Sequence, residues 1–256
     1  MLWSISLLCL LFKVHHGYGN KAYIVHGVVA EAHQFPYAAF IEIEAVTASW
    51  QCGSSVVNQR VLLTAAHCLE GSKTSEILIF MGHTNIKQSK IFNCQRYEIH
   101  EEYNRDNMLN DIAVILSETE FKLGPFVKRV VIMMNPPMAE FGIVAGWGII
   151  EEDKMFDITR LRYTKQLILT DEDCLKTLQT KADSTICAKS DKNGPMKGYP
   201  AAGDSGSGLV INDFIQIGIV SYREPKTCKS LTVYTYVPAF IDWIRVAASN
   251  SYCNFE

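Results

Sequence analysis

A histidine, an aspartate and a serine, each framed by small residues, occur in an order that suits nucleophilic attack on an acyl carbon. They lie in Thr64-Ala65-Ala66-His67-Cys68, Asn110-Asp111-Ile112-Ala113 and Gly203-Asp204-Ser205-Gly206. A serine hydroxyl is a weak nucleophile at neutral pH and needs a base to take its proton. Histidine suits that task because its unperturbed pKa lies near neutrality. Each segment alone says little. A histidine beside a cysteine is usually structural, an aspartate before an apolar run is usually a strand start, and a glycine-rich turn with serine is usually only a turn. Together, in the order His, Asp, Ser, they match one specific catalytic arrangement.

The elements that must position these residues read mostly as strands. Short runs rich in Val, Ile, Phe and Tyr alternate with turn residues: AAFIEIEAV, SSVVNQRVLLTAA, EILIFMG, DIAVILSE, FGIVAGWG, SGLVIND and FIQIGIVSY. Many short strands separated by Gly, Asn, Asp and Pro favour an all-β barrel or sandwich. The end of the chain differs. Val237, Phe240, Ile241 and Ile244 recur at helical spacing behind Pro238, which predicts a helix from about Pro238 to Ala248. The Gly- and Pro-bearing stretch LGPFVKRVVIMMNPPMAEFG reads as the connection between two strand-rich halves.

Composition is that of an ordinary globular protein. Of 256 residues 48% are hydrophobic and 20% charged, with a formal net charge of -3. Charges of both signs are interspersed, so no basic block suggests nucleic acid. The apolar run Leu2 to Phe12 is too short to span a bilayer, and Gly17 and Gly19 follow it with signal-peptidase spacing. Residues 1–19 therefore read as a secretory signal, giving a secreted, extracellular chain with no membrane anchor. Cys9 would leave with the signal, so seven of the eight cysteines remain, and in a secreted chain they read as disulfide formers. No cysteine or histidine cluster has zinc-ligand spacing, and no N-glycosylation acceptor is present.

With these motifs in place, the sequence resembles the trypsin/chymotrypsin family of serine proteases from Ile24 to about Ala248. The likeness also rests on Ile24-Val25-His26-Gly27, Gln34-Phe35-Pro36-Tyr37, Cys52-Gly53, Gly146-Trp147-Gly148, Ser221-Tyr222, and Val233-Tyr234-Thr235 before Trp243-Ile244. The resemblance implies an all-β fold of two perpendicular six-stranded antiparallel β-barrels with a C-terminal helix, and an active site between the barrels. It divides the chain into a signal (1–19), a short propeptide (20–23), a first barrel (24–133) carrying His67 and Asp111, and a second (134–256) carrying Ser205. In that scheme His67 takes the proton of Ser205 and returns it to the leaving amine, while Asp111 holds the imidazole tautomer. Ser221 helps hold Asp111, and the N–H groups of Gly203 and Ser205 form the oxyanion hole. Cleavage before Ile24 frees an ammonium that pairs with Asp204 and orders the site. The implied partners are a protein or peptide substrate, an activating protease and protein inhibitors. A monomer without cofactor is expected.

Departures from the family pattern are concentrated near the substrate pocket. Tyr23 precedes Ile24, where Arg or Lys is usual, so the implied activator is chymotrypsin-like. Ser207 and Gly208 replace glycine and proline. The resemblance puts Tyr199 and Pro200 at the pocket base, Ser221, Tyr222 and Arg223 at its mouth, and Thr232 on its wall. Without a basal carboxylate, cleavage after Lys or Arg is not expected. Small apolar residues at P1 (the substrate residue before the cut) are expected instead, with acidic ones admitted through Arg223. The family's calcium loop does not carry over, since His83 stands where a ligand glutamate would, and no metal is expected. His26, His33, His83 and His100 have structural readings.

The resemblance also implies Cys52–Cys68 and Cys174–Cys187 bridges. Closing a ~15-residue loop is worth roughly 3 kcal/mol in the chain-entropy model. Ala201 replaces the usual partner of Cys228, leaving Cys94, Cys228 and Cys253. A Cys94–Cys253 bridge is expected, because the family's C-terminal helix packs on the first barrel; the competing pairing gives Cys228 one of the two. Two function classes stand. An active secreted endopeptidase is favoured by the intact triad. A catalytically weak homologue, acting as an extracellular binding protein or cascade cofactor, is favoured by the altered pocket. A purely structural disulfide module would need neither Asp111 nor Ser205.

Overall fold

In a computed structural model of the chain, residues 24–148, 159–179, 181–191, 194–224, 228 and 230–253 are described. The expected signal and propeptide, with Tyr23, lie outside them.

Strands β1 (Val28–Val29), β2 (Ala38–Glu44), β3 (Ser49–Val56), β4 (Val61–Thr64), β5 (Ile77–Met81), β6 (Lys90–Ile99) and β7 (Ala113–Ser117) come from the first half. The second half supplies β8 (Phe141–Gly146), β9 (Arg162–Ile168), β10 (Thr185–Ser190), β11 (Gly208–Ile211), β12 (Ile215–Arg223) and β13 (Thr232–Tyr236). Period-2 alternation sets the inward faces. In β5 the side chains of Ile77, Ile79 and Met81 are buried while Leu78 and Phe80 are half-buried. β7 instead reads as an unbroken buried run, because the C-terminal helix covers its outer side.

The first barrel closes in the order β2-β3-β4-β7-β6-β5, all antiparallel. The second runs β9-β10-β13-β12-β11-β8 and closes through a β8–β9 pairing. The expected two six-stranded antiparallel barrels are therefore observed. The two halves also exchange ends. β1 joins the second barrel, pairing Val28 with Tyr163 and Val29 with Arg162. The C-terminal helix returns to the first, where Phe240, Ile244 and Ala247 share a core with Leu62, Ile115 and Val237. That segment begins as a 3₁₀ turn, Val237–Phe240, with Pro at its start, and continues as the α-helix Ile241–Cys253. Among the described residues no helix is long and apolar enough to cross a membrane.

Among the described residues two disulfides are present, Cys52–Cys68 and Cys174–Cys187, with Cα separations of 6.3 and 5.7 Å. The expected Cys94–Cys253 bridge is not formed. Cys94 is a free, buried thiol whose Sγ lies 3.3 Å from the carbonyl of Arg96, across an irregularity in the β6–β7 register. The reason is packing: the Cys94 side chain is already accommodated within the first-barrel core. The Cys228 sulfur lies 3.8 Å from the Ser230 hydroxyl.

Candidate active site

Strand β4 delivers the histidine. Its last residue, Thr64, donates its hydroxyl to the Gly53 carbonyl at 2.8 Å, and the chain turns at once into the short helix Ala66–Leu69. The Cys52–Cys68 bridge anchors that helix to β3, and the Trp50 indole donates to the Cys68 carbonyl at 2.9 Å. The His67 side chain is 23% exposed, so its ring is held at the base but open on one edge.

Asp111 sits just before β7, and its side chain is wholly buried. Asn110 before it has φ of 53°, a left-handed conformation that asparagine tolerates better than most residues. Three donors converge on the Asp111 carboxylate. The His67 backbone N–H donates to Oδ1 at 2.9 Å, His67 Nδ1 lies 2.8 Å from Oδ2, and the Ser221 hydroxyl donates to Oδ2 at 2.5 Å. Thr235 from β13 donates to the Asp111 carbonyl at 2.8 Å. A buried carboxylate is tolerated when its lone pairs are filled in this way. With Nδ1 committed to the carboxylate as a donor, Nε2 is left with its lone pair as a proton acceptor.

The serine comes from the other barrel, on a tight loop before β11. Gly203 and Gly206 have φ of 88° and 84°, which only glycine adopts without strain. This loop is pressed against the histidine segment. The Gly53 N–H donates to the Ser205 carbonyl at 2.7 Å, and a Cβ on Gly206 would collide with the Gly53 carbonyl and the Thr64 hydroxyl. On the other side, the Gly206 N–H donates to Val220 at 2.8 Å, next to the Ser221 that holds Asp111. Residues far apart in sequence thus meet across one seam.

Asp204 faces inward and is fully buried. Its carboxylate accepts from the Gly148 N–H at 2.7 Å and the Ala201 N–H at 2.9 Å. Burial pushes its pKa up to about 7, against the opposing pull of those two hydrogen bonds and of the Arg223 charge. Gly146 and Gly148 leave room for it, since a Cβ on either would collide with the carboxyl group. Ile24 is also wholly buried, packed in a cluster with Val144, Leu209 and Tyr234. Val25 and Tyr199 exchange N–H···O bonds of 3.1 Å, which docks the segment after Ile24 beside the loop that carries Asp204.

The predicted pocket residues come together as a filled rather than an open site. Tyr199 is 7% exposed and clustered with Val25 and Ala201, and Pro200 beside it is buried. The Arg223 guanidinium lies 5.1 Å over the Tyr199 ring. Thr232 is buried opposite, paired in register with Arg223. Tyr222 lines a separate cavity of about 320 Å³ with Met108, Leu109, Leu178 and Lys181. Those neighbours carry no sequence signal of their own; they meet only because the loop before Asp111 faces the helix Asp171–Leu178. That helix was legible in principle. Thr170 caps it by accepting from the Asp173 N–H, and Asp171, Glu172 and Asp173 fill its first turn. The donor atoms of Cys52, His67 and Cys68 lie within 4.8 Å of one another, but both sulfurs are joined in the disulfide and neither offers a thiolate to a metal.

Comparison with known proteins gives a consistent result. The Trypsin family model matches residues 24–244. The chain is 30% identical over 238 residues to a chymotrypsin of Phaedon cochleariae, covering 87% of this chain and 81% of that one. It is 29% identical to cathepsin G of Mus musculus, covering 93% and 90%. Among solved structures, a scabies mite inactivated protease paralogue superposes with a TM-score of 0.77 at 22% identity, covering 89% of this chain and 98% of that one.

Proposed function

The chain belongs to the trypsin family and is a serine endopeptidase, and from that premise we propose that His67, Asp111 and Ser205 form its catalytic triad. The observation that carries this is the His67–Asp111 pair. The Nδ1 contact of 2.8 Å to a buried, fully accepting carboxylate leaves Nε2 as the base, on the barrel against which the Ser205 loop is keyed. In the reaction Ser205 attacks the scissile carbonyl and His67 takes its proton. The imidazolium so formed is stabilised by Asp111 and gives the proton to the leaving amine. The N–H groups of Gly203 and Ser205 receive the oxyanion, and the positive φ of Gly203 supports that role by turning its peptide out of the ordinary course. Water then releases the acyl group by the same steps in reverse.

The enzyme acts outside the cell as a monomer made from a signal-bearing precursor, a reading that two disulfides support. Activation is cleavage before Ile24, whose new ammonium pairs with Asp204. The substrate is a polypeptide. At P1, Arg223 over Tyr199 disfavours basic and large aromatic residues and favours small apolar or acidic ones. The same stacked pair supports a second reading, a homologue of weak activity that works by binding. Labelling with an active-site-directed fluorophosphonate, applied to the chain beginning at Ile24, separates the two. Stoichiometric labelling that disappears in Ser205→Ala is expected; no labelling of the parent overturns the triad assignment.

A further inference from the structure

On the first barrel, lined by none of the proposed catalytic or substrate-pocket residues, lies an open cavity of about 380 Å³ between β5, β6 and the segment 121–127. Its floor is aromatic: the Phe92 and Phe121 rings meet edge to face with centroids 5.0 Å apart. Its rim is apolar and left uncovered, with Leu123 36% and Phe126 51% exposed. Its polar lining is two exposed cations, Lys90 and Lys122, with His83 and Gln88, and no carboxylate lines it, although the whole chain carries a formal charge of -3. Neither ammonium is held in an ion pair among the described residues.

An apolar hollow flanked by unpaired cations selects an apolar group carried between anions. The volume falls in the range of specific ligand sites, where burial supplies affinity and a few polar groups fix orientation. The rim is open at the side and the enzyme acts on polypeptides, so the fitting occupant is an extended chain rather than an enclosed small molecule. We infer that this cavity is a docking site for an acidic segment of a protein partner, seating one large apolar side chain against Phe92, Leu123 and Phe126, with Phe121 buried behind them and flanking carboxylates on Lys90 and Lys122. Held there, a protein substrate would be bound by more than its scissile residues. The inference extends the endopeptidase reading to its partner class.

The test uses the Ser205→Ala chain beginning at Ile24, so that binding is read whether or not the triad assignment stands. The probe is a fluorescein-labelled dodecapeptide with a central Phe flanked by two Glu on each side, followed by fluorescence anisotropy. Replacing the Phe by Ser in the probe, or introducing Lys90→Glu with Lys122→Glu in the protein, should each weaken binding about tenfold at low salt. Both lysines are exposed, so the fold should tolerate the reversal. The doubly reversed protein should instead prefer the probe in which the four Glu are Lys, and the preference should fade as salt screens the charges. Equal affinity of the parent protein for the Phe and Ser probes overturns the site. So does equal affinity of parent and reversed proteins for the Glu probe, or binding to phosphatidylglycerol vesicles without binding of the probe.

Discussion

In the uncut chain Asp204 has two N–H donors but no ion pair among the described residues, and Ile24 there carries a peptide N–H and not an ammonium. Burial raises its pKa from the ordinary aspartate range to about 7. A carboxyl group whose folded pKa lies above its unfolded value favours folding while protonated in both states. The resulting penalty sets in as pH rises above about 4 and is complete above about 7. Three pKa units correspond to about 4 kcal/mol, or on the order of 10 °C in Tm for a chain of this size. Cleavage before Ile24 supplies an α-ammonium, with an ordinary pKa of about 8, that can pair with the ionised carboxylate. The processed form should therefore gain on the uncut form as pH rises. Their stabilities should differ little at pH 4, where the carboxyl group is neutral, and by several kcal/mol at pH 7.5. The assay is urea unfolding from pH 4 to 8 of two Ser205→Ala chains, one beginning at Asn20 and one at Ile24, a pair in which other titrating groups cancel. Parallel pH profiles would refute the proposed pairing, and full peptidase activity in an otherwise unmodified chain beginning at Asn20 would refute its role in activation.

Other consequences follow from the same geometry. Asp111→Asn should lower kcat by about four orders of magnitude at neutral pH, because an amide can hold the imidazole in the wrong tautomer, with the Cys52–Cys68 region still folded by circular dichroism. Arg223→Gly should shift P1 preference in a peptide library away from acidic residues and toward larger apolar ones; a parent profile dominated by Lys or Arg would sink the specificity argument. Gly206→Ala should destabilise the chain by about 2–4 kcal/mol in urea, since a Cβ there meets the Gly53 carbonyl and Thr64 hydroxyl at a positive φ. Removing the Cys52–Cys68 bridge by a double Ala substitution should cost about 2–5 kcal/mol and reduce activity at 37 °C beyond the loss of folded protein.

The proposed site rests on contiguous motifs, and their physics explains why such motifs can be read in a sequence. His67 needs small neighbours, because Ala65 and Ala66 are wholly buried beneath it, and Ser205 needs glycines at two positive-φ positions. These local demands leave a local trace. The barrels were legible as strands for a similar reason: some strands alternate inward and outward residues, as β5 does, and others, such as β4 and β7, are short continuous apolar runs bounded by turn residues. What left no trace depends on which distant segments meet. β1 pairs with β9 in the opposite barrel, and nothing in Val28-Val29 specifies Tyr163 and Arg162 as neighbours.

The cysteines show the limit most clearly. Counting them assumes that every thiol in a secreted chain seeks a partner, and that held for Cys52, Cys68, Cys174 and Cys187. It failed at Cys94 because packing had already satisfied that residue. The side chain is buried in the first-barrel core with its thiol at the Arg96 carbonyl, and burial pushes its pKa up to about 12. A thiol that cannot ionise near neutrality is a poor participant in disulfide exchange, which proceeds through the thiolate. Cys94 therefore behaves as a small hydrophobic residue of the barrel, and a count of cysteines carries no message about its pairing.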